Sequence, residues 1–170
     1  MHTICKETLD ELESRCPSLK RPFENTAFAA LTLNLGPVVC TTPHKDMQNF
    51  AKGLCSVTSF GNYNPNKGGH LILWDLGIVI EFPPYSTILI PSAIIEHSNT
   101  CVQDGETRQS ITQYISSGLL AWRANGFQQV QAAKKNNRVP DKWWTQEGHI
   151  FSNVNELVGK SGEDGGQVKA

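Results

Sequence analysis

The sequence predicts a mainly β domain, a sandwich or barrel with helices packed outside it. Three observations carry that expectation. From residue 27 the chain runs through short stretches rich in Val, Ile, Thr and aromatics: "AFAALTLNLGPVVCTT", "GLCSVTSFGNY", "HLILW", "IVIEF", "STILIP" and "QSITQYI". Gly, Pro, Asn and Asp punctuate them at strand-like intervals. Helical composition is confined to the two flanks, as in a layered β architecture with peripheral helices.

Taken in order, residues 4 to 15, "ICKETLDELESR", place apolar side chains at 4, 9 and 12 among charges, which predicts one amphipathic helix ending before Pro17. The β-like runs follow. "HLILW" and "STILI" are apolar throughout, so their strands are expected to be covered on both faces. After residue 126, "FQQVQAAKKNN" returns to helical composition, "VPDKWW" breaks it, and residues 151–170 read as a flexible tail. One domain over 1–150 is expected.

A chain of 170 residues with 39% apolar content can bury a core of its own. No apolar run reaches the ~18 residues needed to cross a bilayer, and the charged N-terminus lacks the apolar centre of a secretory signal. The five cysteines form no C-x-x-C pair, which argues against a zinc module or disulfide framework and for a reducing, intracellular setting. A net charge of -1 gives no global pull toward nucleic acid. Arg123, Lys134, Lys135, Arg138 and Lys142 cluster against Asp141 alone, a pattern expected of a solvated helix face.

The chemistry is concentrated in two stretches. "CTTPHKDMQNF", residues 40 to 50, sets His44 and Asp46 two apart after a β-like run, where a strand would point both to one side. "IIEHSNTCVQDGETRQSITQY", residues 94 to 114, carries Asp104-Gly105 between β-like runs, a hairpin-turn signal. A two-residue hairpin there would pair Gln103 with Glu106, Cys101 with Arg108 and Asn99 with Ser110. His97, Arg108 and Ser110 would then share one face of one ladder. Two imidazoles and a carboxylate form the facial set of non-haem Fe(II) oxygenases, which leaves three coordination positions open. Two suit the carboxylate and keto oxygens of 2-oxoglutarate, and one suits O2. A distal carboxylate calls for a planar bidentate donor such as Arg108, with the Ser110 hydroxyl beside it.

The order H-x-D…H…R-x-S resembles the Fe(II)/2-oxoglutarate-dependent dioxygenase superfamily, whose fold is a double-stranded β-helix of jelly-roll or cupin-like form. "HKDMQN" is similar to the "HRDIHN" of the ten-eleven translocation (TET) dioxygenases, and "TRQSITQY" to their "TRISLVFY". "GLLAW", residues 118 to 122, echoes a further segment of theirs. The J-binding proteins belong to the same broad family, which has compact fungal forms. The resemblance covers roughly residues 40 to 123. It implies metal ligands His44, Asp46 and His97, cosubstrate contacts Arg108 and Ser110, and the cofactors Fe(II), 2-oxoglutarate and O2. It further implies a DNA partner presenting a flipped methylated base, read by Asn49 and stacked on by Tyr114, and hence a nuclear setting. The alternative roles for these two are a turn-capping asparagine and a core tyrosine.

Two departures stand out. Animal members have a histidine where this chain has Ser116, and they carry a cysteine-rich zinc region that nothing here replaces. Two rival readings stay open: the same chemistry on a protein or small molecule, and a non-catalytic cupin-like metal binder. Asn34 is expected as a strand-end polar residue that could also touch the cosubstrate. His70 is expected at a strand start. Trp143 and Trp144 are expected to staple the C-terminal segment.

Overall fold

The computed structural model describes residues 2–140. Lys142, Trp143, Trp144 and the expected tail over 151–170 lie outside the described residues. The chain divides into two compact units, Met1–Leu119 and Leu120–Ala170.

The first unit is a two-sheet β structure preceded by helix α1 (His2–Arg15). Buried Cys5, Thr8, Leu9 and Leu12 recur at helical spacing along α1, and Pro17 follows its end. The loop after the helix is tied back by Arg21, whose guanidinium bonds Asp10 at 2.6 Å and Glu13 at 2.9 Å. Eight strands follow: β1 (Ala30–Asn34), β2 (Thr41–His44), β3 (Cys55–Asn62), β4 (Leu71–Leu73), β5 (Ile78–Ile80), β6 (Thr87–Ile90), β7 (His97–Asn99) and β8 (Thr107–Tyr114). They form two antiparallel four-stranded sheets, ordered β1-β8-β3-β6 and β2-β7-β4-β5. Successive strands alternate between the sheets from β1 to β4 and again from β5 to β8, which is a jelly roll of the cupin-like, double-stranded β-helix kind. The expected fold class is borne out.

Three local expectations need correction. β7 and β8 do not form a hairpin ladder. The turn itself exists: Glu106 N–H donates to the Gln103 carbonyl at 3.0 Å, and Gly105 sits at φ +81°. Beyond it the strands part into different sheets, β7 pairing with β2 and β4 while β8 pairs with β1 and β3. β6 is not covered on both faces either, since Leu89 is 54% exposed while Ile90 is buried. Finally, the cysteines are not all free. Cys40 and Cys101 form a disulfide across 61 residues, leaving Cys5, Cys16 and Cys55 as thiols. The β2/β7 pairing brings the two together, because Cys40 precedes Thr41, and Cys101 follows Thr41's partner Asn99 by two residues. That pair removes the cysteine argument for a reducing compartment.

The apolar core occupies one part of the interior, where Leu71, Leu73, Phe82 and Ile90 pack with Val57, Ile80, Ile88 and Ile95. Val57 and Leu71 also line a cavity of about 490 Å³. The remaining interior wall is polar, and the predicted site residues lie there.

The second unit begins within α2 (Ser117–Ala124) and includes α3 (Val130–Lys135), shorter than the helical stretch expected from composition. Gly126 and Phe127, at φ +71° and +60°, end α2, and Trp122 meets Phe127 edge-on at 4.9 Å. No helix among the described residues is long and apolar enough to cross a membrane.

Closing a loop of 61 residues restricts the unfolded chain by roughly 4 kcal/mol on a chain-entropy account. Cys101→Ser is therefore expected to lower the unfolding free energy obtained from a urea titration by an amount approaching that figure. A dithiol reductant should shift the wild type equally and leave the variant unmoved.

Candidate metal centre and its cavity

His44 and His97 are cross-strand partners on the β2/β7 pair. Between the Thr41↔Asn99 and His44↔His97 pairs, β2 advances three residues while β7 advances two, so β2 carries a bulge at Thr42-Pro43. Proline, with no N–H to offer a ladder, is at home there. The bulge turns the Thr42 carbonyl onto its neighbour, where it faces His44 Nδ1 at 2.8 Å. On the opposite strand the Ile95 carbonyl faces His97 Nδ1 at 3.0 Å. A carbonyl only accepts, so each Nδ1 carries the proton and each Nε2 presents its lone pair. This is the state a metal-binding imidazole needs. The rings lie with centroids 4.4 Å apart.

Asp46 joins them from outside the strand. β2 ends at His44, so the same-side argument of strand geometry does not place Asp46. The turn does: Asp46 N–H donates to the Ser92 carbonyl at 2.9 Å, and Asn49 N–H donates to the Asp46 carbonyl at 2.8 Å. Asp46 Oδ1 then lies 3.7 Å from His44 Nε2, and Oδ2 4.0 Å from His97 Nε2. These separations are too long for hydrogen bonds, yet the three donor atoms lie within 4.8 Å of one another. One nitrogen from each histidine and one carboxylate oxygen suit a first-row divalent metal such as Fe(II). The side chains grade from 10% exposed at His97 through 30% at Asp46 to 42% at His44, so the cluster opens toward solvent on the His44 side.

The facing sheet supplies the rest. Arg108, Ser110, Thr112 and Tyr114 alternate along β8, and all four line the same cavity as the cluster. Arg108 and Ser110 do share a face with each other, but they meet His97 across the sandwich rather than along one ladder. Arg108 is 2% exposed. Its backbone is gripped by Pro37 and Val39, and one Nη donates to the Val39 carbonyl at 3.2 Å. Opposite it on β3 stands Gly61 at φ +123°, where a Cβ would strike the Thr107 carbonyl. Burial pushes the guanidinium pKa down from its ordinary value, while Tyr63 nearby acts the other way. Its Nε, also buried, has no hydrogen-bond partner among the described residues. A buried charged donor left unpaired is costly, and a carboxylate entering the cavity would satisfy it. The donor set therefore fits a carboxylate.

Other predicted residues find specific places. Asn34 ends β1 and donates to Ser110 Oγ at 3.0 Å, so it is both strand-end and cavity-lining. Asn49 lines the cavity but directs its Nδ2 to Asp46 Oδ2 and Ser92 Oγ, both at 3.3 Å. Ser116 caps α2 by accepting the Leu119 N–H at 3.2 Å. His70 precedes β4 and meets Thr100 Oγ1 at 3.2 Å, away from the cluster's donor set. Cys55 also lines the cavity. Burial, reinforced by the Asp46 charge and opposed by a Ser92 hydrogen bond, raises its thiol to about 11, so it stays neutral at physiological pH.

Sequence reasoning missed the Thr42 and Ile95 carbonyls, which carry no side-chain signal. It also missed Asn99, whose side chain bonds Thr41 Oγ1 at 2.8 Å and the Val39 carbonyl at 3.0 Å. Asn99 thereby links the strand that carries His44 to the segment that holds Arg108.

No family model matches the chain, and no curated protein matches it. Among solved structures, it is similar to NgTET1 in complex with 5mC DNA, at 16% sequence identity and a TM-score of 0.46. The match covers 66% of this chain and 47% of that one, so this chain spans about half the length of that protein.

Removing either buried or exposed imidazole leaves two donors, too few for tight binding. His97→Ala and His44→Ala are each expected to weaken Co(II) binding at least a hundredfold in calorimetric titration. His70→Ala should leave it unchanged.

Proposed function

We propose that this chain is an Fe(II)- and 2-oxoglutarate-dependent dioxygenase that oxidises a methyl group on a methylated base in DNA, of the 5-methylcytosine type. The observation that carries the reading is a His-Asp-His cluster and a buried, partly unpaired arginine lining one cavity. His44, Asp46 and His97 would hold Fe(II) on one face. Arg108 takes the distal carboxylate of 2-oxoglutarate, with Ser110, itself fixed by Asn34, donating beside it. Bound there, the iron would couple oxidative decarboxylation of the cosubstrate by O2 to hydroxylation of the methyl group.

The chain's own contribution is orientation and exclusion. Arg108, itself 2% exposed, fixes the tail of the diacid so that its head is turned toward the metal. The opening on the His44 side is the approach for substrate. Asn49 and Tyr114 line that cavity, and the resemblance to base-oxidising enzymes assigns them to the extruded base. Both amide N–H groups of Asn49 face acceptors, so its carbonyl oxygen alone remains for a base, which must then bring a donor. An amino-bearing base such as cytosine meets that requirement. A DNA partner would place the chain in the nucleus, a reducing setting that the Cys40–Cys101 disulfide does not favour.

The decisive measurement is mass spectrometry of nucleosides from methylated DNA incubated with protein, Fe(II), 2-oxoglutarate and air. Hydroxymethylcytosine should accumulate with the wild type and not with His44→Ala. Unchanged methylcytosine and methyladenine would remove the nucleobase assignment. Mixing Fe(II) and 2-oxoglutarate with the protein under anaerobic conditions should produce a visible charge-transfer band, and a colourless mixture would remove the dioxygenase reading itself. Arg108→Lys should raise the KM for 2-oxoglutarate roughly tenfold to a hundredfold, the effect of losing one charge-assisted hydrogen bond.

A further inference from the structure

We propose that Asn49 is a positioning residue for the metal centre, aligning the Asp46 carboxylate through a relay anchored at Ser92. The inference rests on the metal-binding role of His44, Asp46 and His97, and it is separable from any part Asn49 plays toward substrate.

The geometry is specific. Asn49 Nδ2 lies 3.3 Å from Asp46 Oδ2 and 3.3 Å from Ser92 Oγ. A carboxylate can only accept, which fixes the amide's orientation. Ser92 is 1% exposed, so its hydroxyl is an interior anchor out of a substrate's reach. The Ser92 carbonyl also accepts the Asp46 N–H at 2.9 Å, so one buried residue holds both the backbone and, through Asn49, the side chain of the ligand. Asn49 is itself pinned, since it forms an isolated antiparallel bridge with Ser116, and the next residue, Phe50, donates to the Ile115 carbonyl at 2.9 Å.

The consequence lies in how many oxygens Asp46 offers. With Oδ2 held by the amide, Oδ1, the oxygen nearer His44, is the free donor. Two imidazoles and one oxygen leave three of six positions open, enough for a chelating keto acid and O2. A carboxylate free to rotate could offer both oxygens and close one of those positions. Hydrogen bonds to metal ligands typically change metal affinity ten- to a hundredfold when removed.

The test uses metal-free protein and Co(II) alone, without cosubstrate or DNA. Asn49→Ala should raise the Co(II) Kd roughly tenfold to a hundredfold and alter the cobalt d–d absorption, with the unfolding midpoint of the metal-free protein unmoved. Ser92→Ala should weaken binding in the same direction. The double variant should be no weaker than Asn49→Ala, because both act through one hydrogen-bonded chain. Wild-type Kd and spectrum in Asn49→Ala, while His44→Ala abolishes binding, would overturn the relay and leave the metal site standing. Failure of the wild type to bind Co(II) would overturn both. If Asn49→Ala does not fold, Ser92→Ala decides: weakened binding supports the relay, and an unchanged Kd overturns it.

Discussion

The antiparallel pairing of β2 with β7 is the constraint on which the site depends. It makes His44 and His97, 53 positions apart in the chain, direct cross-strand neighbours. A regular ladder would deliver two parallel side chains and little more. The bulge at Thr42-Pro43 re-aims the β2 strand, and the turn that follows brings Asp46 against the pair. Asn99 and the Cys40–Cys101 link fasten the other end of the same two strands. The cluster is therefore a property of one strand pair and the turn it feeds.

The jelly roll solves a second problem by setting that pair across from β8. A His-Asp-His cluster and a guanidinium on one surface would have to share solvent. On facing sheets they enclose it instead, with Val57 and Leu71 closing the apolar side. Attraction between a guanidinium and a carboxylate is weak in water and strong in a dry cleft. The segment from Pro37 to Val39 lies along the start of β8 and takes Arg108's backbone and one Nη, while Nε has no partner among the described residues.

Much of this was legible in the residues. Period-two alternation placed Arg108 and Ser110 on one side, and the spacing of β-like runs anticipated the β architecture. The ligand types were readable because neutral nitrogen and anionic oxygen are what a hard-to-borderline metal requires. The pairing of strands was not legible. Asp104-Gly105 encodes a turn faithfully, but a turn dictates only its own few residues, and the flanking strands follow whichever sheet offers the better partner. The same blindness hid Cys40 and Cys101, whose proximity arises from a long-range ladder. Leu89 misled for another reason: an apolar run shows what could be buried, while coverage depends on the neighbouring layer.

One feature of the histidine arrangement reaches beyond this chain. The acceptors that fix both ring tautomers are main-chain oxygens of residues 42 and 95. No point mutation can delete a peptide carbonyl; it can only disturb the path that aims it. Half of what makes these imidazoles competent is thus inherited with the shape of the backbone. The surrounding side chains can be exchanged without removing either acceptor, so long as the backbone path through residues 42 and 95 is kept.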